Sequence, residues 1–328
     1  MVDHNYNKLY KINLIIFSTI IIITGPLFSQ DFEKKLTIYS SETHPLYKTI
    51  ETRLNKVINS LNDIDKSEIR ILFRKDAFRN FKELIDSTSL YFTDVYYNVN
   101  MIEIPEGGFE VRDIRVRIGR QDFEDDLDQY LVFTLDPDGY ILDVRFAIET
   151  HQYHTIINDG KRLDDLALRH KILQFVEIFR TAYCRKDLGF IEKAFSEDAL
   201  IIVGRKLKST PAQSDIWKQS LLSRERIAFI RRDKVTYINK LKEAFEKNAF
   251  IEVNFDKIEI TRHNLIPNIY GVTLKQRWRS SSYSDEGYLF LMIDFEDENR
   301  PLIHVRAWQP QPWLDGTIIN LYDFVLIE

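Results

Sequence analysis

The stretch from Leu166 to Gly204, LALRHKILQFVEIFRTAYCRKDLGFIEKAFSEDALIIVG, constrains the fold more tightly than any other part of the chain. Leu168, Ile172, Phe175, Val176, Phe179 and Tyr183 recur at the three- and four-residue spacing that places one apolar stripe along a helix. Asp164 or Asp165 is expected to cap that helix, and Asp187 restarts the pattern with Leu188, Ile191 and Phe195. Ser196-Glu197-Asp198 is then read as a turn into a strand, Leu200 to Val203. Two helices and a strand follow one another with no linker, so this segment must sit inside one packed unit.

The N-terminus points to a compartment. Lys8 and Lys11 precede an apolar run from Ile12 to Ile23, and small Ser29 stands before Gln30. The run falls short of the roughly 20 residues that span a bilayer, and the basic, apolar, small-residue order is that of a secretory signal. Residues 1–29 are therefore expected to be removed, leaving an exported chain with no transmembrane segment, the alternative being that they stay as an uncleaved N-terminal anchor. Cys184 is the only cysteine, so no intramolecular disulfide is available even outside the cytoplasm, and its place at the end of a helical stripe makes it a buried structural thiol. A formal charge of −5 gives no electrostatic case for nucleic acid. With 44% hydrophobic residues and only 11 Gly, the chain is globular rather than disordered.

Along the chain, a helix is expected from His44 to Leu61 and helical pattern from Ser67 to Asp86. The period then changes. Leu90–Val99 is aromatic and extended, Phe109–Ile118 alternates, and Leu131–Ile148 is a hairpin turned by Asp136-Pro137-Asp138-Gly139. Asp-Pro-Asp-Gly is turn chemistry, because it lacks the spaced acids and distal Glu of a calcium loop. Thr155–Arg162 is read as a connector, and Arg205–Asp233 as a polar insertion holding Pro211, Trp217 and Arg224, Arg226, Arg231 and Arg232. A third helix over Tyr237–Lys247 and four strands follow: Phe250–Ile260, Tyr270–Arg279, Tyr288–Asp294 and Leu302–Trp308.

Helices laid across the concave side of a twisted antiparallel sheet make a cone. The segments FSEDALIIVG, FIEVNFDKIEI, IYGVTLKQRW, GYLFLMIDF and IHVRAWQP resemble the nuclear-transport-factor-two-like (SnoaL-like, cystatin-like) α+β cone superfamily, especially exported bacterial members. The resemblance spans Asp164 to Pro310 and implies an α+β fold, a curved antiparallel sheet with helices on its concave face. The first half reads as a shortened tandem copy. Phe73-Arg74-Lys75-Asp76-Ala77 parallels Phe195-Ser196-Glu197-Asp198-Ala199, LVFTLD parallels LFLMID, and DVRFAIE parallels HVRAWQP. The expected organisation is a shortened cone over 40–155, a full cone over 163–310 and a docking tail over 311–328.

No catalytic motif is present: there is no GxSxG and no HExxH, and Gly107-Gly108 lacks a phosphate-loop context. The superfamily's Asp, His or Tyr acid–base set does not carry over residue by residue. Asp256 and Glu259 lie near a strand that could line the cone, but alternation puts Glu252, Asn254 and Asp256 opposite Val253 and Phe255, as on a solvated strand face. His151 and His154 lack further ligands, so neither a metal nor a cofactor is implied. In Tyr270–Trp278 the apolar side carries Tyr270, Val272, Leu274, Gln276 and Trp278, opposite Thr273, Lys275 and Arg277. In Leu302–Trp308, Ile303, Val305 and Ala307 are expected to face the helices, leaving His304, Arg306 and Trp308 outside. Lys275, Arg277, His304, Arg306 and Trp308 thus form a candidate outer binding face, with Arg306 paired to Asp294 or to an acid of the first half.

Tyr288–Asp294 is apolar on both sides and must be covered on both, by the first half, a second protomer, the C-terminal TIINLYDFVLI segment or a ligand. The sequence reading is an exported binding or structural protein whose partner is a protein, a second protomer or a small ligand. The rival is a small-molecule isomerase, dehydratase or hydrolase using a cavity walled by Tyr183, Gln276 and Trp278. A cone packed with Phe and Leu favours the first, and an open pocket with convergent polar groups the second.

Overall fold

The computed structural model describes residues 33–39, 45–61, 64, 68–74, 76–105, 107–119, 128–158, 163–207 and 226–324. The N-terminal apolar run with Ser29, and Pro211, Trp217 and Arg224 of the insertion, lie outside them. Glu33–Glu328 forms one compact unit.

Its first half runs β1 (Lys35–Tyr39), α1 (Tyr47–Asn59), a 3₁₀ turn (Glu68–Leu72), α2 (Ala77–Thr88), β2 (Tyr91–Phe92), β3 (Tyr96–Glu103), β4 (Phe109–Arg117), β5 (Gln129–Leu135) and β6 (Ile141–Ala147). The sheet order is β1-β3-β4-β5-β6, with β2 on β4. The helical pattern expected over Ser67–Asp86 is broken in two, because Phe73 leaves the 3₁₀ turn to form a parallel bridge with Ile141. The Arg74 guanidinium holds Asp136 at 2.6 Å beside it. The Asp-Pro-Asp-Gly turn forms as expected. Asp136 Oδ1 accepts from the amides of Asp138 and Tyr140, and Gly139 takes a φ of +74°. Helix α3 (Thr150–Asn158) occupies part of the expected connector; its burial of Tyr153 and Ile156 is a tertiary effect that nine residues of pattern do not announce.

The second half runs α4 (Leu163–Arg185), α5 (Leu188–Ala194), β7 (Phe195–Leu207), β8 (Arg226–Arg232), α6 (Lys234–Lys247), β9 (Ile251–Arg262), β10 (Ile269–Ser280), β11 (Ser284–Asp294) and β12 (Leu302–Gln309). The sheet order is β8-β7-β12-β11-β10-β9, a meander whose last strand pairs in parallel with β7. Asp187 caps α5 by accepting the Phe190 amide at 2.9 Å, and Asp233 caps α6 through Thr236 at 2.7 Å. Three expectations are corrected. Asp164 and Asp165 lie within the first turn of α4 rather than before it, and Ser196–Asp198 belongs to β7 rather than to a turn. The insertion supplies strand β8, because the open edge of β7 takes a partner.

Helix α4 is the central element. It packs against β9 and β6 as well as α2, α3 and α5, so it is buried on opposite sides. Ile172, Phe175, Val176, Phe179 and Tyr183 enter the main core, as their spacing predicted. The other side carries buried Glu177, Arg180 and Thr181. Glu177 accepts from Arg112 on β4, from Arg145 Nε on β6 at 3.0 Å and from the Ile148 amide at 3.0 Å. Glu110 on β4 accepts from Arg112 Nη1 and Arg145 Nη2. Arg180 donates to Val253 O on β9 and Ala147 O on β6, tying the sheets to one helix. The second sheet with α4, α5 and α6 on its inner side makes an α+β cone, the fold class expected from the sequence.

The doubly apolar strand is covered on both sides. Leu289, Leu291 and Ile293 join the main core, while Phe290 and Met292 face outward into a second cluster with Ile269, Val305, Ala307 and Leu321. The C-terminal segment supplies that outer cover: Phe324 stacks on Phe290 at 5.3 Å, and Gln309 Oε1 accepts the Ile319 amide at 2.7 Å. Among the described residues it docks through a 3₁₀ turn, Leu321–Asp323, rather than as a strand.

Candidate functional site

The candidate binding face divides between the two sides of the sheet. Lys275 and Arg277 point outward, and both pair with Glu286, at 2.6 and 3.3 Å. His304 lies near Asp294 at 3.6 Å. Arg306 and Trp308 instead turn inward. The reason is a β-bulge: Met292 pairs with Val305 and Ile293 with Ile303, leaving His304 as the extra residue. One extra residue reverses the alternation. Ile303 faces the core, and past the bulge Val305 and Ala307 face the tail while Arg306 and Trp308 face the helices.

There they meet the other candidate residues. A cavity of about 640 Å³ lies between α6 and the inner faces of β7, β10, β11 and β12, with Tyr237, Gln276, Trp278, Asp285, Arg306 and Trp308 in its wall. Tyr183 stands behind the wall, fully buried, with its ring edge-on to Trp278 at 5.8 Å and its hydroxyl 2.6 Å from that of Tyr237. Burial first, then the neighbouring Tyr237, push the Tyr183 hydroxyl well above its ordinary pKa, so it stays a neutral hydroxyl. The Arg306 guanidinium lies 5.2 Å over the Tyr237 ring.

Arg306 is 7% exposed and Trp308 9%, yet Arg306 Nε and Trp308 Nε1 donate to nothing. Asp285 Oδ2 accepts from the Tyr283 hydroxyl at 2.7 Å, while its buried Oδ1 has no donor. Burial raises the Asp285 carboxyl above its ordinary pKa, opposed by the Tyr283 hydrogen bond and by Arg306. No carboxylate pairs with Arg306, which corrects the expected partnership with Asp294 or an acid of the first half. Arg145, which stands where Arg306 does in the DVRF/HVRA match, shows how the same protein satisfies a structural guanidinium. It is held by Glu110, Glu177, Thr134 and Asp143.

Other sites hold less chemistry. A cavity of about 490 Å³ beside α4 and α5 contains Lys171, already paired with Glu298. His151 is exposed on α3 next to Glu149, and no group of three metal-ligating side chains occurs among the described residues. Burial pushes the Cys184 thiol up to about 12, and its sulfur receives the Val253 amide, as a structural thiol requires. Among the described residues no helix is long and apolar enough to cross a membrane.

No family model and no curated protein matches this chain. Solved structures with a similar arrangement include an NTF-2-like protein of unknown function from Shewanella oneidensis MR-1. It is 14% identical, with a TM-score of 0.30, over 43% of this chain and 97% of that one. The β subunit of a putative aromatic-ring-hydroxylating dioxygenase from Novosphingobium aromaticivorans is 12% identical, with a TM-score of 0.33, over 48% of this chain and all of that one. Bd1075 of Bdellovibrio bacteriovorus is 11% identical, with a TM-score of 0.33, over 65% of this chain and 92% of that one. The element order and sheet topology, rather than these scores, identify the cone.

Asp285 escaped the sequence reading, although a signal was there. It shares parity with Gly287, Leu289, Leu291 and Ile293, so carrying β11 back toward Ser284 puts a carboxylate on a core-facing position. Arg205, Arg232, Lys240 and Lys247 also line the cavity. They were legible only as charged residues on separate elements.

Proposed function

We propose that the protein captures a small organic anion in the cavity of the second sheet. The observation that carries this reading is a pair of buried donors without an acceptor, Arg306 Nε and Trp308 Nε1, on two side chains that line the cavity. A buried donor left unpaired costs about 1–3 kcal/mol, more when charged, and a ligand oxygen recovers it. Around them Arg205, Arg232, Lys240 and Lys247 face a single acid, Asp285. The volume suits a small molecule. Of the two readings set out from the sequence, an open pocket with convergent polar groups favours small-molecule handling over a packed scaffold. Catalysis in the same cavity has one observation in its favour, the raised Asp285 carboxyl with a free oxygen. Two further parts of the reading are support for context rather than for the site. Export rests on the basic, apolar, small-residue order before Gln30, and the tandem copy on the Phe73–Ile141 bridge matching the parallel Phe195–Ile303 pair.

The test is fluorescence titration, with Trp278 and Trp308 as reporters, of small carboxylates each against its uncharged amide. Carboxylates quench and raise Tm, amides do not, and Arg306→Met abolishes the effect while the variant melts no lower than the parent. Amides binding as well as acids, or undiminished binding by Arg306→Met, overturns the reading.

A further inference from the structure

Positive charge is gathered at this cavity. Arg205 on β7, Arg232 on β8, and Lys240 and Lys247 on α6 all line it, and among the described residues Asp285 is the one acid of the wall. The whole chain carries a formal charge of −5, so the excess of cations is local. Arg205, Lys240 and Lys247 are exposed and Arg232 is half-buried, so all four can be reached from solvent. None of them has a carboxylate partner among the described residues. Glu243 stands three residues after Lys240 and four before Lys247, the spacing of helical ion pairs, yet it pairs with neither. Arg205 and Arg232 lie on one face of the sheet, each two positions beyond its own member of the Val203–Ile230 pair. The other cavities are mixed in charge. Beside α4 and α5, Lys171 is bound to Glu298, and a cavity of about 890 Å³ beside α3 and β9 sets Glu149, Asp256 and Glu259 against Arg169 and Lys257.

We propose that the captured anion is an organic phosphate monoester, its phosphate held by Arg205, Arg232, Lys240 and Lys247 and its organic part lying against Leu241 and Trp278. The inference rests on the anion-capture reading above and adds the charge and the class of the anionic group. A cleft lined by one sign of charge focuses its field, and the attraction grows with each charge the ligand carries. A carboxylate carries one negative charge, whereas a phosphate monoester carries about 1.5 to 2 near pH 7 and offers three acceptor oxygens. The shape of the group fits as well. The four cations stand on three different elements, two strands and a helix. A tetrahedral phosphate presents oxygens in three directions to donors so distributed, while a carboxylate presents two in one plane. Arginine forks and lysine ammoniums are both established partners of phosphate, the first by paired hydrogen bonds and the second as point charges. Leu241 and Trp278 give the organic part an apolar wall within the same cavity.

Isothermal titration of the full chain with phenyl phosphate, methyl phenyl phosphate, phthalate, benzoate and inorganic phosphate tests this. The methyl ester keeps the ring and the phosphorus but carries a single charge. Phenyl phosphate is expected to bind roughly tenfold tighter than the methyl ester or benzoate, the weight of one hydrogen bond to a charged group. Inorganic phosphate, which lacks the organic part, is expected to be weaker than phenyl phosphate. In Lys240→Gln/Lys247→Gln, which alters two exposed side chains without ion-pair partners, the preference for phenyl phosphate over its methyl ester falls to roughly threefold or less at an unchanged Tm. Equal affinities for phenyl phosphate and its methyl ester in the parent, or a preference undiminished in the double variant, overturn the phosphate assignment and leave anion capture standing. Phthalate binding as tightly as phenyl phosphate overturns phosphate in favour of a dicarboxylate. Inorganic phosphate binding as tightly overturns the organic ester. Silence from phenyl phosphate overturns the class, while the carboxylate series with Arg306→Met decides anion capture separately.

Discussion

Glu177→Gln is the perturbation that most directly tests how the molecule is held together. The layer between the first sheet and α4 contains two guanidiniums, Arg112 and Arg145, and two carboxylates, Glu110 and Glu177, all at most 4% exposed at the side chain. Its net charge is zero and each carboxylate serves both arginines. The glutamine keeps the shape and removes one charge, leaving the two guanidiniums with Glu110 and, for Arg145 alone, the half-buried Asp143 at 3.1 Å. Removing one partner of a buried pair costs about 3–5 kcal/mol, because the other charge stays in a medium that solvates it poorly. Glu177 also accepts the Ile148 amide, so the junction between β6 and α3 is weakened too. Urea unfolding at pH 7 followed by far-ultraviolet circular dichroism is expected to show a loss of this size at an unchanged slope. Replacing all four residues by apolar ones of similar volume is expected to restore most of the stability, since the apolar layer has no charges to desolvate. A Glu177→Gln loss below about 1 kcal/mol would refute the claim that this layer is a closed set of mutually dependent charges.

Further outcomes follow from the same structure. Arg145 and Arg112 hold the Glu110 carboxyl down at about 2, against the pull of burial, from an ordinary value of 4.5. Its contribution, about 3 kcal/mol, is therefore present above pH 4.5 and lost as pH falls toward 2, and Glu110→Gln should flatten that part of an acid-unfolding curve. Asp285 has the opposite sign: a carboxyl raised by burial favours the fold when protonated and costs stability as pH rises through its folded pKa. Asp285→Asn should accordingly raise Tm at pH 7, and a lower Tm would show that the carboxylate is structurally satisfied. Leu321 is 3% exposed against Phe290 and Gly271, so Leu321→Ala should cost about 2–5 kcal/mol in chemical unfolding. A loss within about 0.5 kcal/mol would mean that the tail is not a cover. N-terminal sequencing of exported chain is expected to begin at Gln30, and a start at Met1 removes the signal reading.

Arg306 and Asp285 share a logic. Each has one buried polar atom without a partner, Arg306 Nε and Asp285 Oδ1, on a side chain that lines the cavity.

Local pattern carried the second half of the chain well. The stripe of α4, the restart of the helical pattern at Asp187 and the four meander strands follow from periodicity and side-chain chemistry within a few residues, and they survive folding. The need for a cover over Phe290 and Met292 was legible too, because a strand apolar on both faces has no other stable state. Which side Arg306 and Trp308 face was not. Alternation assigned them to the outside, and the bulge at His304 reversed it; a bulge is set by how β11 and β12 meet, which no run of eight residues encodes. The two buried faces of α4 and the extra strand β8 were hidden for the same reason. Their burial depends on partners more than 20 residues away in sequence, Arg112 and Arg145 for Glu177, and these become neighbours only when the sheets close around the helix.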